Sequence, residues 1–469
     1  MIARGASFDV AEVAFATGGR LEPRDAGPGR VTGVCTDTRD ELAGRLFVAL
    51  VGERFDAHDF LERAVEAGAA ALLVGEAGLA RVGGRAALDP RVDVVVVPDT
   101  LRALGDLARH HRRGTTGPVV ALTGSNGKTS TKEILRAVLS RSRSVLATDG
   151  NLNNLIGLPL TLLGLEPEHE VCVAEMGMNA KGEIARMVEI AEPTVGLVTN
   201  VGTAHIGELG SIEAIASAKG EMFRGLAPEA TAVANADDPR VMEQLGDRAA
   251  RTFGRAFGAD VRLLGAEPAA AGQRIRLSVD GAVVEARLSL VGAHNAMNAA
   301  AAVAAATAAA PELDPETLAR GLEAAQAAAG RLTVRRLAEL TVIDDAYNAN
   351  AHSALAAIDT ARTLAPEGRL VAAFGAMKEL GTFSEAAHRE VGEALARAGA
   401  RVVATFGPEA RALADAASAG GVAAHHEDAD FDALGDWLSG QLRPGDVVLI
   451  KGSRATRMER LIPRLEGGA

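Results

Sequence analysis

Apolar and polar positions along this 469-residue chain repeat with two periods, and the order of those periods divides it into three stretches. In the first hundred residues, short apolar runs at 45–50 (RLFVAL), 71–74 and 94–97 predict buried strands. Between them, 58–67 carries Phe60, Leu61, Ala64 and Val65 at helical spacing, with Gly68 as its stop. Residues 100–113 predict a helix, and 114–118 lead into an apolar strand from 119. Helical segments then alternate with apolar runs at 144–148, 171–175 (VCVAE) and 195–200 (VGLVTN), the order expected of a doubly wound sheet. Residues 211–226 predict an amphipathic helix, and 274–290 alternate with period two around Asp280-Gly281, a hairpin turn signal. An Ala-rich run at 299–310 reads as packed helix, because alanine has the best helix propensity. A second helix is predicted at 315–328. Strand candidates at 340–343, 370–374, 402–406 and 447–450, with helices between, make the last stretch another α/β unit. The fold class is α/β in three domains: a small α/β domain over 1–99, a parallel-sheet domain over 100–328, and a Rossmann-like domain over 329–469.

In such sheets ligands gather at the carboxyl ends of strands. Residues 119–130, VVALTGSNGKTS, run from strand through a Gly-containing loop to a helix with Ile134, Leu135, Val138 and Leu139 on one face. Backbone N–H groups around Gly124 and Gly127, with Ser125 and Asn126 between, can point at phosphate oxygens. Lys128 supplies charge for the β- and γ-phosphates, and Thr129, followed by Ser130, offers a hydroxyl to Mg²⁺. The full P-loop spacing would put glycine at 122, where the chain has Leu122; the competing reading is a Gly-rich turn with an incidental lysine. The strand–loop–helix context favours a phosphate cradle and a P-loop ATPase domain. Glu175 ends a neighbouring strand and reads as a Mg²⁺ ligand, or as a cap or ion-pair partner. His205, in GTAHIG, divides evenly between structural residue and ligand. Lys219 lies on the amphipathic helix, where a lysine is ordinarily solvated. Asn295 and Asn298, three apart on a first helical turn, suit an adenine edge or a cap. Asn151, Asn153 and Asn154 follow the 144–148 strand. Thr36, Asp37, Thr38 and Arg39 form a polar cluster, and 52–60 (GERFDAHDF) reads as a chemical loop or as a turn capped by Asp56 or Asp59. Polar strand ends in the last stretch are 344–350, 375–381 and 451–454; Tyr347 is the only tyrosine.

The formal charge of −12 argues against a nucleic-acid partner, which requires a basic face. No apolar run is long enough to span a bilayer, and the first 19 residues lack an unbroken h-region, so no membrane insertion is expected. Two isolated thiols, Cys35 and Cys172, make neither a disulfide framework nor a metal cluster and point to the cytoplasm.

The ordered set of motifs resembles the Mur ligases, ATP-dependent amino-acid-adding enzymes of peptidoglycan synthesis, over essentially the whole chain. The shared features are TGSNGKT at 123–129, Asn153-Asn154 with Gly157 and Pro159, Glu175, His205, HNAMN at 294–298 and Gly330-Arg331. More discriminating are GRLFVALVGERFDAHDF at 44–60, AEMGMN at 174–179, AKGE at 218–221, DDAYNAN at 344–350 and MKELG at 377–381. The resemblance implies an amide ligase that uses ATP and Mg²⁺ to join D-alanyl-D-alanine (D-Ala-D-Ala) to UDP-N-acetylmuramoyl-tripeptide through an acyl phosphate. It implies that Gly124 to Ser130 hold the ATP phosphates, with Lys128, His205 and Lys219 catalytic. Thr129, Glu175, His205 and Lys219, the last if carbamylated, would hold Mg²⁺. Asn295, Asn298, Arg331 and Asp345 would contact the nucleotide. Thr36 to Arg39, Asn151, Asn153, Asn154, Tyr347 and Asn348 would face the substrates. A monomer is expected. Two positions depart from the family pattern: Ala351 replaces a proline, which should loosen a turn, and Ala376 replaces an aspartate. The alternatives are a relative adding a single amino acid (diaminopimelate or lysine), a folylpolyglutamate synthase, or a P-loop switch without ligase chemistry; a guanine-reading NKxD is absent.

Overall fold

Each of the three stretches builds its own sheet in the computed structural model, which describes residues 2–269, 272–365 and 368–467. The first sheet has six strands in the order Ile2–Asp9, Arg30–Cys35, Leu46–Val48, Ala71–Gly75, Asp93–Val97, Arg20–Glu22, parallel except at its two outer pairs. The helix expected at 58–67 begins as a 3₁₀ turn, Ala57–Phe60, and becomes α-helical over Leu61–Glu66. Asp56 sets that start by accepting from the His58 amide at 2.9 Å. His58 is itself buried, 2.6 Å from Asp56 through Nδ1, and its Nε2 accepts from Gly75 N at 2.8 Å. Asp56 thus takes the capping role, whereas His58 is buried and not part of a solvated helix start.

The central sheet has nine strands. Val119–Thr123 lies between Val195–Val198 and Val171–Glu175, all parallel, so three polar strand ends meet at one edge. The register pairs Leu122 with Glu175 and Thr123 with Val198, which brings Glu175 beside the glycine loop. Leu122 is buried in the sheet, so the place a P-loop glycine would occupy is a core position here. The hairpin forms as Gln273–Val279 and Ala282–Leu288, turning at Asp280-Gly281. The Ala-rich segment is the helix Ala293–Ala309, buried along most of its length against Lys128–Leu139. Small side chains allow two helices to approach closely, which explains the composition. The next helix, Pro315–Ala324, stops four residues before the expected end.

The third sheet runs Thr333–Leu337, Leu340–Asp345, Val447–Lys451, Leu370–Gly375, Val402–Phe406, Ala423–Glu427, parallel after the first pair. Ala351 opens the helix Ala351–Leu364, and Asn350 with Ser353 forms a complete capping box there. The turn expected to loosen without proline is thus fixed by its cap. Ala376 is fully buried between Phe406 and Ser453. Both cysteines are free and buried. Among the described residues, no helix is long and apolar enough to cross a membrane.

Candidate active site between the central and third domains

The glycine loop is laced to the end of Val195–Val198. Ser125 N donates to Asn200 O at 2.9 Å, Asn126 N to Asn200 Oδ1 at 3.0 Å, and Gly202 N to Ser125 Oγ at 2.8 Å. Thr199 Oγ1 donates to Asn126 O at 2.8 Å. Gly124 and Gly127 have φ of 150° and 80°, and a Cβ on either would collide with Thr199 or Asn298. Glycine is required at both places by conformation and by space. Lys128 bends back over the loop, donating to Gly124 O at 2.8 Å. Desolvation lowers its pKa from the ordinary lysine value, opposed by the charge of Glu175.

Glu175 is 2% exposed. Its Oε1 accepts from Asn153 Nδ2 at 2.8 Å and lies 3.4 Å from Thr129 Oγ1, and its amide donates to Thr148 Oγ1 at 2.9 Å. Its Oε2 is buried with no partner among the described residues. A desolvated carboxylate oxygen left open beside a threonine hydroxyl and a phosphate cradle is a fitting donor for a hard cation such as Mg²⁺. Lys219 overturns the surface expectation. It is 1% exposed, faces inward from Ile212–Gly225, and has no hydrogen-bond or ion-pair partner among the described residues. Burial, and then the nearby Lys128 charge, push its pKa well below the lysine value. A lowered pKa enlarges the neutral fraction of the amine, the form that is nucleophilic toward CO₂, which fits a carbamate. His205 sits in a left-handed conformation, φ 64°, at the start of Ile206–Leu209, with Nδ1 2.9 Å from Glu379 Oε2 of the third domain. Among the described residues no three His, Cys, Asp or Glu side chains form a ready metal cluster.

The third domain roofs the cradle. Asn350 Nδ2 donates to Asn126 Oδ1 at 2.9 Å. Arg331, Asn348, Asn350 and Glu379 line one pocket with Ser125 to Ser130 and His205. An adjoining pocket is lined by Asn126, Gly127, Ser130, His294, Asn295, Asn298, Arg331 and Asp345. Asn298 Nδ2 donates to Asn295 Oδ1 at 2.9 Å, and Asn295 Nδ2 to Val291 O at 2.8 Å, so both amides are oriented before any ligand arrives. Asp345 is held by Lys451 Nζ at 2.5 Å and by Leu332 N at 3.2 Å. Arg331 stacks on Tyr347, its guanidinium carbon 4.3 Å from the ring centroid. Beyond Tyr347 a cleft of about 840 Å³ opens, lined by Thr129, Lys132, Arg136 and Arg454.

The three asparagines after the 144–148 segment divide their work. Asn153 holds Glu175; Asn154 Oδ1 accepts from Ile156 N and Gly157 N at 3.1 and 2.9 Å; Asn151 is exposed. Thr36, Asp37, Thr38 and Arg39 lie in a turn of the first domain outside both pockets. There Arg39 forks Asp37 at 2.5 Å and holds its carboxyl below the usual range. Sequence reasoning placed Asn350, Glu379 and Lys451 in polar strand ends without giving any of them a role, and it missed Lys132, whose Nζ donates to Thr148 O at 2.6 Å. Lys132 had no signal, because it lies on the helix face that reads as solvated; what the sequence withheld for Asn350 and Glu379 was the partner of each across the domain boundary.

Known proteins match this arrangement throughout. Family models for the Mur ligase catalytic domain, the Mur ligase middle domain and the Mur ligase glutamate ligase domain match residues 30–112, 122–306 and 330–454. The chain belongs to the Mur ligase family and is an ATP-dependent ligase. Within the family it is 40% identical over 440 residues to the UDP-N-acetylmuramoyl-tripeptide–D-alanyl-D-alanine ligase of Escherichia coli K12, covering 92% of this chain and 93% of that one. It is 35% identical over 444 residues to the Bacillus subtilis ligase of the same name, covering 93% of each. A crystal structure of MurF from Acinetobacter baumannii superposes with a TM-score of 0.88 at 34% identity, over 99% of this chain and all of that one. MurF from Thermotoga maritima in complex with ADP gives 0.81 at 30% identity, over 93% and 97%.

Proposed function

We propose that the chain joins D-Ala-D-Ala to UDP-N-acetylmuramoyl-tripeptide in peptidoglycan precursor synthesis, as a monomer in the cytoplasm. The observation that carries this reading is the buried Glu175, with Oε1 3.4 Å from Thr129 Oγ1 and Oε2 without a partner among the described residues, next to a Lys128–Thr129 cradle that lines a pocket with third-domain residues. The tripeptide's terminal carboxylate attacks the γ-phosphorus of ATP, the bond to the β–γ bridging oxygen breaks, and ADP leaves. The dipeptide amine then attacks the acyl phosphate carbonyl, inorganic phosphate departs, and the amine proton passes to solvent. Chemistry of this kind is mostly positioning and charge neutralisation, and needs no side-chain nucleophile.

Residues 1–99 would grip the nucleotide-sugar, with Thr36 to Arg39, Asn151 and Asn154 toward it. Residues 100–328 hold ATP through the glycine loop, Asn295 and Asn298. Residues 329–469 close over both, bringing Arg331, Asp345, Tyr347 and Asn348. Lys128 offsets charge on the transferring phosphoryl group. Thr129, Glu175, His205 and a carbamylated Lys219 would hold Mg²⁺, which supplies further neutralisation of phosphate charge when bound. The test is phosphate release over a panel of UDP-muramoyl peptides and amino acceptors. Turnover is expected with D-Ala-D-Ala and to fall by at least ~10³-fold in Lys128→Ala, the scale of losing a preorganised transition-state donor. Turnover only with single amino acids would refute the acceptor assignment, and an active Lys128→Ala would refute the mechanism.

A further inference from the structure

Glu379 has no part in the reading above. It lies in the loop after Leu370–Gly375 and adopts φ 64°, a left-handed conformation uncommon for a residue with a side chain. The facing residue of the central domain, His205, does the same with φ 64°. Their side chains meet across the domain boundary at 2.9 Å, with the carboxylate oxygen off the axis of the ring N–H. The main chains seal the contact, Gly207 N donating to Glu379 O at 3.0 Å. Behind it the loop is pinned to its own domain. Met377 N donates to His388 Nε2 at 2.9 Å and Lys378 N to Ser453 Oγ at 2.8 Å. His205 and Glu379 both line the phosphate pocket with Lys128, and His205 Nε2 takes no hydrogen bond among the described residues. The Glu379 carboxyl is held below its usual pKa, first by His205 and also by Lys128.

Facing residues in sparse backbone conformations persist only where their surroundings over-determine them, and such pairs collect at working sites. A carboxylate against one ring nitrogen is the ordinary way to orient a histidine whose other nitrogen serves a metal or an anion. Here that carboxylate arrives from a different domain. We propose that Glu379 is a positioning residue: it turns His205 toward the phosphate pocket, and does so only when the third domain is closed on the central one. This rests on the reading of that pocket as the ATP site. His205 then becomes competent at the moment the roof is in place, so closure and site assembly are one event.

The test is calorimetric binding of β,γ-methylene-ATP, with Mg²⁺ and with EDTA, to the full chain and to Glu379→Gln, His205→Ala and the double variant. Glu379→Gln should weaken Mg²⁺-dependent binding by about tenfold, the scale of removing an outer-shell partner, and leave binding in EDTA unchanged. His205→Ala should cost at least as much, and adding Glu379→Gln to it should cost nothing more, because coupled residues are not additive. Glu379→Asp, short by one methylene, should fall between. Glu385→Gln, which removes only a surface pair with Arg389, should bind as wild type. An undiminished tenfold loss in the His205→Ala background, or wild-type binding by Glu379→Gln, overturns the proposal. Melting temperatures within about 2 °C of wild type identify folded variants. Absence of turnover with the dipeptide in wild type would overturn the acceptor assignment alone and leave this binding cycle intact.

Discussion

Replacing Gly207 by alanine should separate domain closure from folding. Gly207 sits in Ile206–Leu209 with φ outside the left-handed region, so alanine suits its backbone and would favour the local helix by up to ~1 kcal/mol. The added Cβ, however, would stand 2.6 Å from Glu379 O and 2.6 Å from Gly381 N, where ordinary contact starts at 3.4 Å. The third domain must therefore retreat by roughly 0.8 Å, with loss of the 3.0 Å bond from Gly207 N to Glu379 O. Overpacking costs ~1–3 kcal/mol and the hydrogen bond ~1 kcal/mol, so closure should weaken by ~2–4 kcal/mol, or roughly 30- to 1000-fold. The assay is ATP-dependent phosphate release with both substrates saturating, read beside a thermal melt. The expected result is a fall in kcat of that size with the melting temperature unchanged or raised. Wild-type kcat would refute the argument, since it would mean that turnover does not pass through this closed geometry. A lowered melting temperature would refute it too, since the clash is assigned to the interface and not to either domain.

Asn153→Ala removes the amide that holds Glu175 Oε1, and should raise the Mg²⁺ concentration for half-maximal phosphate release by ~10-fold. ¹³C-bicarbonate should give a carbamate resonance in the wild-type protein that Lys219→Ala lacks; its absence from wild type would remove the carbamate. Burial lowers the His294 pKa from 6.5 to about 4, so the unfolded chain binds the extra proton in that window. Stability should consequently fall as pH drops from 6.5 toward 4, by at most ~3 kcal/mol. Urea melts of His294→Gln should show a flatter pH dependence there.

The central sheet and its loop were legible because apolar runs of period-appropriate length ended in polar residues at one edge, and Val119–Thr123, Val171–Glu175 and Val195–Val198 do converge there. Ala250–Gly254 (ARTFG), inside the central sheet, and Ala423–Glu427 (AAHHE), at the edge of the third, were not legible, because a partly exposed strand lacks the continuous apolar run of a buried one. Lys219 misled for a related reason. Its neighbours give the helix an ordinary amphipathic pattern, and only tertiary packing reveals that the lysine lies on the covered side. The Asn126–Asn350 and His205–Glu379 pairs join residues 224 and 174 positions apart, and no local pattern encodes either partner.

The Asn350 amide does two jobs at once. It caps Ala351–Leu364, and it reaches over to Asn126 in the glycine loop. The rim of the phosphate cradle is thereby tied to the dipole end of a helix in another domain. Any movement of the third domain away from the cradle must break this bond, so the glycine loop and the start of Ala351–Leu364 lose their contact in one step.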